Sequence, residues 1–355
     1  AACQQPPAGS AAGGQRASLL SKFGAGDIPS EAYKAHFSAA HDEAAPQSAS
    51  NVARRRGSEG TVEADGVVRR QLAGVLMRRI GYTDEELELL GDDVLRMQGV
   101  RSPFRAAALQ AGEVVVDLGS GFGPDAFLAA AKVGPFGSVV GVNLSAAEVG
   151  SANDRARNRG LAESRCRFVV ADMESTPLPA GLADVVISNG GFCLCPDKEA
   201  AFREVHRILR PGGRLAISCT VLRRPLPALE GKRWPPCMEV FMPRSSVECL
   251  LQSLGFRAVT VDEADSRMDV WEFADSDLES VAQSMPAGGG AAARGEMCSY
   301  ARKAAAGRAR DQVENFLARD REAGIHWGNP EFKHVREFDM NEFCARVTIY
   351  AEKCA

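Results

Sequence analysis

From residue 114 onward the chain alternates short apolar runs with amphipathic ones. VVVDL (114–118) is a continuous apolar run broken only by Asp117, the pattern of a strand covered on both faces. A glycine turn and the helical pattern PDAFLAAAKV follow. SVVGVNL (138–144) is the next strand, with Ser145 and Glu148 spaced as a capping box for the helix behind it. RFVVAD (167–172), ADVVIS (183–188), RLAISCTVL (214–222) and FRAVTV (256–261) continue the strand series, with helical segments at 198–209 and 245–254. Strands alternating with helices predict a parallel, doubly wound α/β sheet. The last stretch, FCARVTIYAEK (343–353), alternates with a period of two, with Phe343, Ala345, Val347 and Ile349 on one face. That pattern predicts an antiparallel edge strand appended to the parallel sheet.

The flanking segments read differently. Residues 1–66 are rich in Ala, Gly, Ser and Gln, include the basic run Arg54-Arg55-Arg56, and show little periodicity, which predicts a mobile leader. The pattern turns helical over 67–110, where Thr83 and Glu86 in YTDEELELL form a capping box. Residues 266–340 include AGGGAAARG and the helix-like GRARDQVENFLARDREAG, and predict an insertion of loop and helices. The expected organisation is leader 1–66, helical cap 67–110, core 111–265, insertion 266–340 and a closing strand at 341–355.

A chain of 355 residues, 45% hydrophobic and 25% charged, can bury one large core or two modest ones. A net charge of -4 gives no reason to expect nucleic acid as a partner. No apolar stretch approaches the roughly 18 residues of a membrane span. The ten cysteines lack the close pairing of a disulfide scaffold, so reduced thiols in the cytoplasm are expected. Burial is the default for each, and Cys219 and Cys249 are expected in the core. Organellar import is the alternative location, because the first 26 residues hold Arg16 and Lys22 and no acid.

The candidate chemistry starts at DLGSGFGPD (117–125), where the first strand meets its helix. Gly119, Gly121 and Gly123 let backbone amides approach a ligand at the open carboxyl end of the sheet. Pro124 stands where a dinucleotide fold wants its third glycine, which disfavours a dehydrogenase. VVADMESTPLP ends the third strand at Asp172, a carboxylate able to accept from an adenine amino group. LRPGGRLAIS (209–218) is a tight Pro-Gly-Gly turn feeding a strand. SNGGFCLCPDKEAAF sets Cys193 and Cys195 one residue apart, as packing, a metal site or part of a substrate pocket. Without a second pair at fixed spacing they do not make a structural zinc site. His206 reads as a partly buried structural histidine rather than a base.

The order and spacing of these motifs from about 112 to 222 resemble the class I S-adenosylmethionine-dependent methyltransferases. The resemblance implies a Rossmann-like seven-stranded sheet with a helical insertion before the last strand, and S-adenosylmethionine as cofactor. It implies a cofactor site of Asp117, Gly119, Ser120, Gly121, Gly123, Asp125, Asn143, Leu144, Asp172, Met173 and Asn189. ISNGGFCLCPDKEAAFREVHRILRPGG, GYTDEEL, DLGSGFGPDAFLAA and WPPCMEVF are similar to arsenite methyltransferases. That likeness implies a small-molecule acceptor, trivalent arsenic carried as a thiol adduct, with a thiol reductant as partner and protein thiolates as ligands.

Two features depart from that family. Asn143 ends the second strand where an acid usually accepts both ribose hydroxyls. Two of the family's three thiol positions are Val100 and Gly190, leaving Cys237, with Cys193 and Cys195 as candidates to replace the missing ligands. A paralogue acting on a small organic molecule and a non-catalytic cofactor-binding protein are the alternatives.

Overall fold

A computed structural model describes residues 70–97, 99–271, 275–284, 334–335 and 337–355. The expected leader, most of the expected insertion, Cys3, Cys298 and Trp327 lie outside the described residues. The described parts of Arg96–Met268 and Asp339–Ala355 form one compact unit, and those of Ser48–Leu95 and Asp269–Phe338 a second.

The first unit is built on a sheet whose strands are β1 Val114–Leu118, β2 Ser138–Asn143, β3 Cys166–Val170, β4 Ala183–Asn189, β5 Leu209–Leu222, β6 Met242–Pro243, β7 Phe256–Asp262 and β8 Cys344–Lys353. Their order is β3-β2-β1-β4-β5-β8-β7, with the two-residue β6 paired to β5 outside that path. The seven expected strands are present, and β6 is an eighth. Only β8 runs antiparallel to its neighbours. The chain leaves β1 toward β3 on one side and returns as β4 and β5 on the other. The order therefore reverses between β1 and β4, which leaves a crevice beyond their carboxyl ends.

The structure corrects three expectations. β8 is not an edge strand; it lies between β5 and β7, so Cys344 to Ile349 are buried on both faces and the edge falls to β7. The period-two pattern arose because polar Arg346 and Thr348 alternate with apolar residues, yet both are buried, Thr348 beside Ser218 with their hydroxyls 3.0 Å apart. Pro211-Gly212-Gly213 is not a turn ahead of a strand. The chain loops out there within β5, residues 210–213 standing against Asp184 alone, where the register with β4 shifts between Ala183 and Val185. Cys249 is exposed, whereas Cys219 is buried as expected. Its helix, Val247–Ser253, turns Val247 and Leu251 inward and Cys249 to solvent.

Helix Lys198–Ile208 shows how the core is closed. Asp197 caps it by accepting from Ala200 N at 3.0 Å, and Ala201, Phe202, Val205 and Ile208 form its buried stripe. Phe202 packs on Phe192 with ring centroids 4.8 Å apart, which fixes the short helix Gly191–Leu194 against the sheet. His206, on the same helix, meets Phe256 edge-on at 5.1 Å, at the amino end of β7 and away from the crevice. Burial lowers its pKa. This is a structural histidine.

In the second unit Thr83 caps helix Asp84–Leu90 in a complete capping box with Glu86, as the sequence predicts. Arg79 pairs with Asp277 of helix Asp275–Ser284, so the segment that carries helix Asp84–Leu90 and part of the expected insertion belong to one unit. No helix among the described residues is long and apolar enough to cross a membrane.

Phe202→Ala removes a fully buried ring whose neighbours are themselves held in place, so stability is expected to fall by about 3–5 kcal/mol. Urea denaturation of the full chain measures it, and a loss below about 1 kcal/mol would show that the site collapses to fill the gap.

Candidate functional site

The crevice is shaped by a close approach of two loops. Gly119 N and Ser120 N donate to Val142 O at 2.8 and 3.1 Å, which ties the loop after β1 to β2. At Gly119, with φ +77°, a Cβ would sit 2.8 Å from Gly191 Cα, so the loops after β1 and β4 touch there and only glycine fits. Gly121 is different: a Cβ there meets nothing within 4 Å. Gly123 serves packing, because a Cβ would run into Phe168 at 2.6 Å. The three glycines of the motif therefore do three jobs, and Gly121 alone faces open space.

At the end of β1 and in the loop after it, two buried polar atoms have no hydrogen-bond partner, Asp117 Oδ2 and Ser120 Oγ. Asp117 is 2% exposed. Burial, and after it the neighbouring Asp125 charge, raise its pKa well above the ordinary carboxylate range. An acceptor left unpaired in the interior is costly unless a ligand supplies the donor. Asp125 Oδ2 accepts from Asn189 Nδ2 at 3.1 Å, which links the helix after the glycine loop to the end of β4.

Asn143 has a role that the sequence did not reveal. Its Oδ1 accepts from Gly121 N at 3.3 Å, and its Nδ2 donates to Glu148 Oε2 at 2.7 Å. Glu148 is buried, and its backbone N–H caps on Ser145 Oγ at 3.1 Å. A carboxylate thus stands one residue shell behind the position where the resembled family carries its acid. An aspartate at 143 would face Glu148 as a like charge, so the amide is the residue that fits. The spacing of Ser145 and Glu148 signals the cap, but nothing in it shows that the carboxylate reaches Asn143.

Leu144 follows Asn143, half-buried. Asp172 lies two residues past the end of β3, where its Oδ1 accepts from Glu174 N at 2.9 Å. The Met173 methyl reaches to 3.4 Å of the Gly119 Cβ position. The expected cofactor residues are thus gathered along the carboxyl ends of β1 to β4.

The thiols divide. Cys193 Sγ accepts from Thr220 N at 3.1 Å, filling the ladder of β5 between the end of β4 and β6. Helix Gly191–Leu194 packs on helix Pro236–Glu239, which carries Cys237. Burial, then the Cys193 sulfur, push Cys237 up to about 11. Cys219 and Cys344 feel the same cluster, and burial raises both, Cys344 to about 12. Cys195 is apart from this group. Its Sγ donates to Glu174 Oε1 at 3.3 Å and to Asp197 O at 3.4 Å, and burial followed by the nearby carboxylates raises its pKa. Among the described residues no three His, Cys, Asp or Glu side chains converge as a ready metal site. Residue by residue, the structure joins Cys193 to Cys237 and leaves Cys195 with Glu174. It also ties Val100 to the end of β4, since Val100 N donates to Asn189 Oδ1 at 2.8 Å.

The raised pKa of Asp117 has a testable sign. The folded protein holds this proton more tightly than the unfolded chain does. Its effect on stability is neutral below roughly pH 4 and becomes destabilising as pH rises toward the folded value. Asp117→Asn is therefore expected to raise ligand-free stability at pH 8 and to flatten its decline from pH 4 to 8. Thermal denaturation across that range checks it; a less stable variant at pH 8 would contradict the assignment.

Residues 116–217 match the family described as methyltransferase domain. Over 206 residues, 56% of this chain, the sequence is 34% identical to an arsenite methyltransferase of Halobacterium salinarum, covering 52% of that protein. Over 117 residues, 33% of this chain, it is 31% identical to a ubiquinone/menaquinone biosynthesis C-methyltransferase of Cellvibrio japonicus, covering 47% of it. The chain spans about half the length of these curated relatives. A phosphoethanolamine N-methyltransferase of Haemonchus contortus shares the fold, with a TM-score of 0.51 and 17% identity over 78% of this chain and 53% of that one. Together with the strand order and the crevice at its reversal point, these likenesses make residues 116–217 similar to the methyltransferase domain family, on a Rossmann-like class I methyltransferase fold.

Proposed function

We propose that the chain is an S-adenosylmethionine-dependent methyltransferase whose acceptor is trivalent arsenic held as a thiol adduct. The observation that carries the cofactor reading is the pair of unpartnered buried polar atoms, Asp117 Oδ2 and Ser120 Oγ, at the strand end and loop that open at Gly121. S-adenosylmethionine, with an ammonium, hydroxyls and an adenine amino group, is rich in the donors this lining lacks. Asp117, Ser120 and Asp125 would hold its amino-acid end, and Asp172 with Met173 the far end past β3. Asn143 and Glu148 would stand between. When bound, the cofactor supplies an electrophilic methyl on sulfur and departs as a neutral thioether.

The chain's residues then have to hold the acceptor in line and keep the site dry. Trivalent arsenic carries its own lone pair, so no general base is needed. It is soft and selects sulfur, and Cys193 and Cys237 are the candidate thiols that share one cluster, with Cys219 and Cys344 beside them. Both are protonated at neutral pH because burial raises them. Capture from an arsenic hydroxide proceeds by exchange, each thiol proton leaving with the displaced hydroxide as water. With two protein thiols in place, a third sulfur from a small thiol carrier completes the pyramid. One observation favours a second acceptor class, a small organic molecule: Val100 and Gly190 stand at two positions where the resembled family has thiols.

Methyl transfer from labelled cofactor, offered arsenite with glutathione and a panel of organic acceptors, decides between the two. The arsenic reading expects product with arsenite, and a loss of at least about a hundredfold in kcat/KM for Cys237→Ser and Cys193→Ser, since losing one of two soft ligands removes several kcal/mol of capture. Cys249→Ser, at an exposed thiol, should be without effect. Full arsenic methylation by Cys237→Ser would end the thiol assignment. Transfer only to an organic acceptor would establish the second class.

A further inference from the structure

Residues 99–101 cross the carboxyl ends of the sheet and are held from three sides. At the end of β4, Asn189 Oδ1 accepts from Val100 N at 2.8 Å and Arg101 N at 3.2 Å. At the end of β7, Asp262 accepts from the Arg101 guanidinium, through its backbone oxygen at 3.0 Å and its carboxylate at 2.8 Å. Between them on β8 stands Arg346, 2% exposed. Its Nη1 donates to Val100 O at 2.6 Å, its Nε to Arg267 O and its Nη2 to Asp265 O, both at 2.5 Å. The segment is pressed hard against its support, for a Cβ on Gly99 would lie 2.1 Å from Asn189 Nδ2.

We infer that Arg346 is a positioning residue that clamps segment 99–101 over the crevice, so that Asn189, and through it Asp125, stand oriented before the cofactor arrives. The inference rests on the cofactor reading above and concerns a residue that touches neither cofactor nor acceptor. The chain of contacts is continuous. Arg346 holds the Val100 carbonyl, the Val100 and Arg101 amides fix Asn189 Oδ1, and Asn189 Nδ2 then points at Asp125 Oδ2. A guanidinium suits the task, because three carbonyls in fixed directions need a rigid fork of donors. A lysine ammonium on a flexible stem cannot replace that fork. The contacts also explain a charged residue inside a fully buried strand: each nitrogen meets a backbone oxygen that the loop 265–267 and the segment 99–101 leave pointing inward.

Arg346→Lys in the full chain tests the clamp by amide hydrogen exchange without ligand and by calorimetry with S-adenosylhomocysteine. The expected variant is folded, with β1 and β4 amides protected as in wild type and the Val100 and Arg101 amides exchanging at least about tenfold faster. If the closed fraction falls to about a tenth, S-adenosylhomocysteine binds about tenfold more weakly. Asn189→Ala should loosen the same amides, and the double variant should add little to either single one. Unchanged exchange at Val100 and Arg101 in folded Arg346→Lys overturns the clamp. Faster exchange with unchanged affinity overturns its link to the cofactor. A wild type that binds no S-adenosylhomocysteine strikes the cofactor reading instead, and the exchange measurement still decides the clamp. Should Arg346→Lys not fold, Arg101→Ala unties the exposed end of the segment: faster Val100 exchange with weaker binding supports the clamp, and the absence of both overturns it.

Discussion

A carboxylate that is 2% exposed, with one oxygen unpartnered, is the constraint around which this structure is arranged. Nothing in the packing of a stable fold calls for Asp117 to be there, at the end of β1 where burial and Asp125 both oppose its charge. Its neighbours show why it persists. The loop after it is tied down through Val142 O, pressed against Gly191, and opened at Gly121, four residues on from the buried acceptor. Such a site is destabilising when empty and favourable when a donor-bearing ligand fills it, a common trade between stability and function.

The same logic of shared partners extends outward. Glu148 serves Asn143 while its own amide is capped by Ser145, and Asn143 in turn holds Gly121 N. Asn189 serves Asp125 on one side and the 99–101 backbone on the other. In both places a side-chain amide bridges a carboxylate and a backbone amide, which only a group that both donates and accepts can do. This accounts for asparagines at two positions on the crevice rim. The thiols follow a different rule: burial raises Cys193 and Cys237, and Cys193 doubles as an acceptor for a strand N–H.

Much of the fold was legible because apolar runs and glycine turns have local causes. Strand positions for β1 to β5 and the caps at Thr83 and Ser145 follow from spacing alone. What was not legible depended on partners distant in sequence. The place of β8 inside the sheet is set by pairing with both β5 and β7, and a period-two pattern cannot report burial on its polar face. Cys249 reads as core from its apolar neighbours, yet the helix turns it outward. Cys193 and Cys195 are nearly adjacent in sequence but separate in space, because Gly190, with φ +84°, starts a short helix that sends one to β5 and the other to Glu174. The contributions of Glu148, Val100 and Arg346 arise from side chains meeting across the sheet, which no local pattern encodes.

The most direct measurement is a crystal structure of the full chain with S-adenosylhomocysteine. The account predicts ligand over Gly121, with a donor within hydrogen-bond distance of Asp117 Oδ2 and the Asn189–Asp125 bond kept. Ligand bound elsewhere, with Asp117 Oδ2 and Ser120 Oγ still unpartnered, would contradict it.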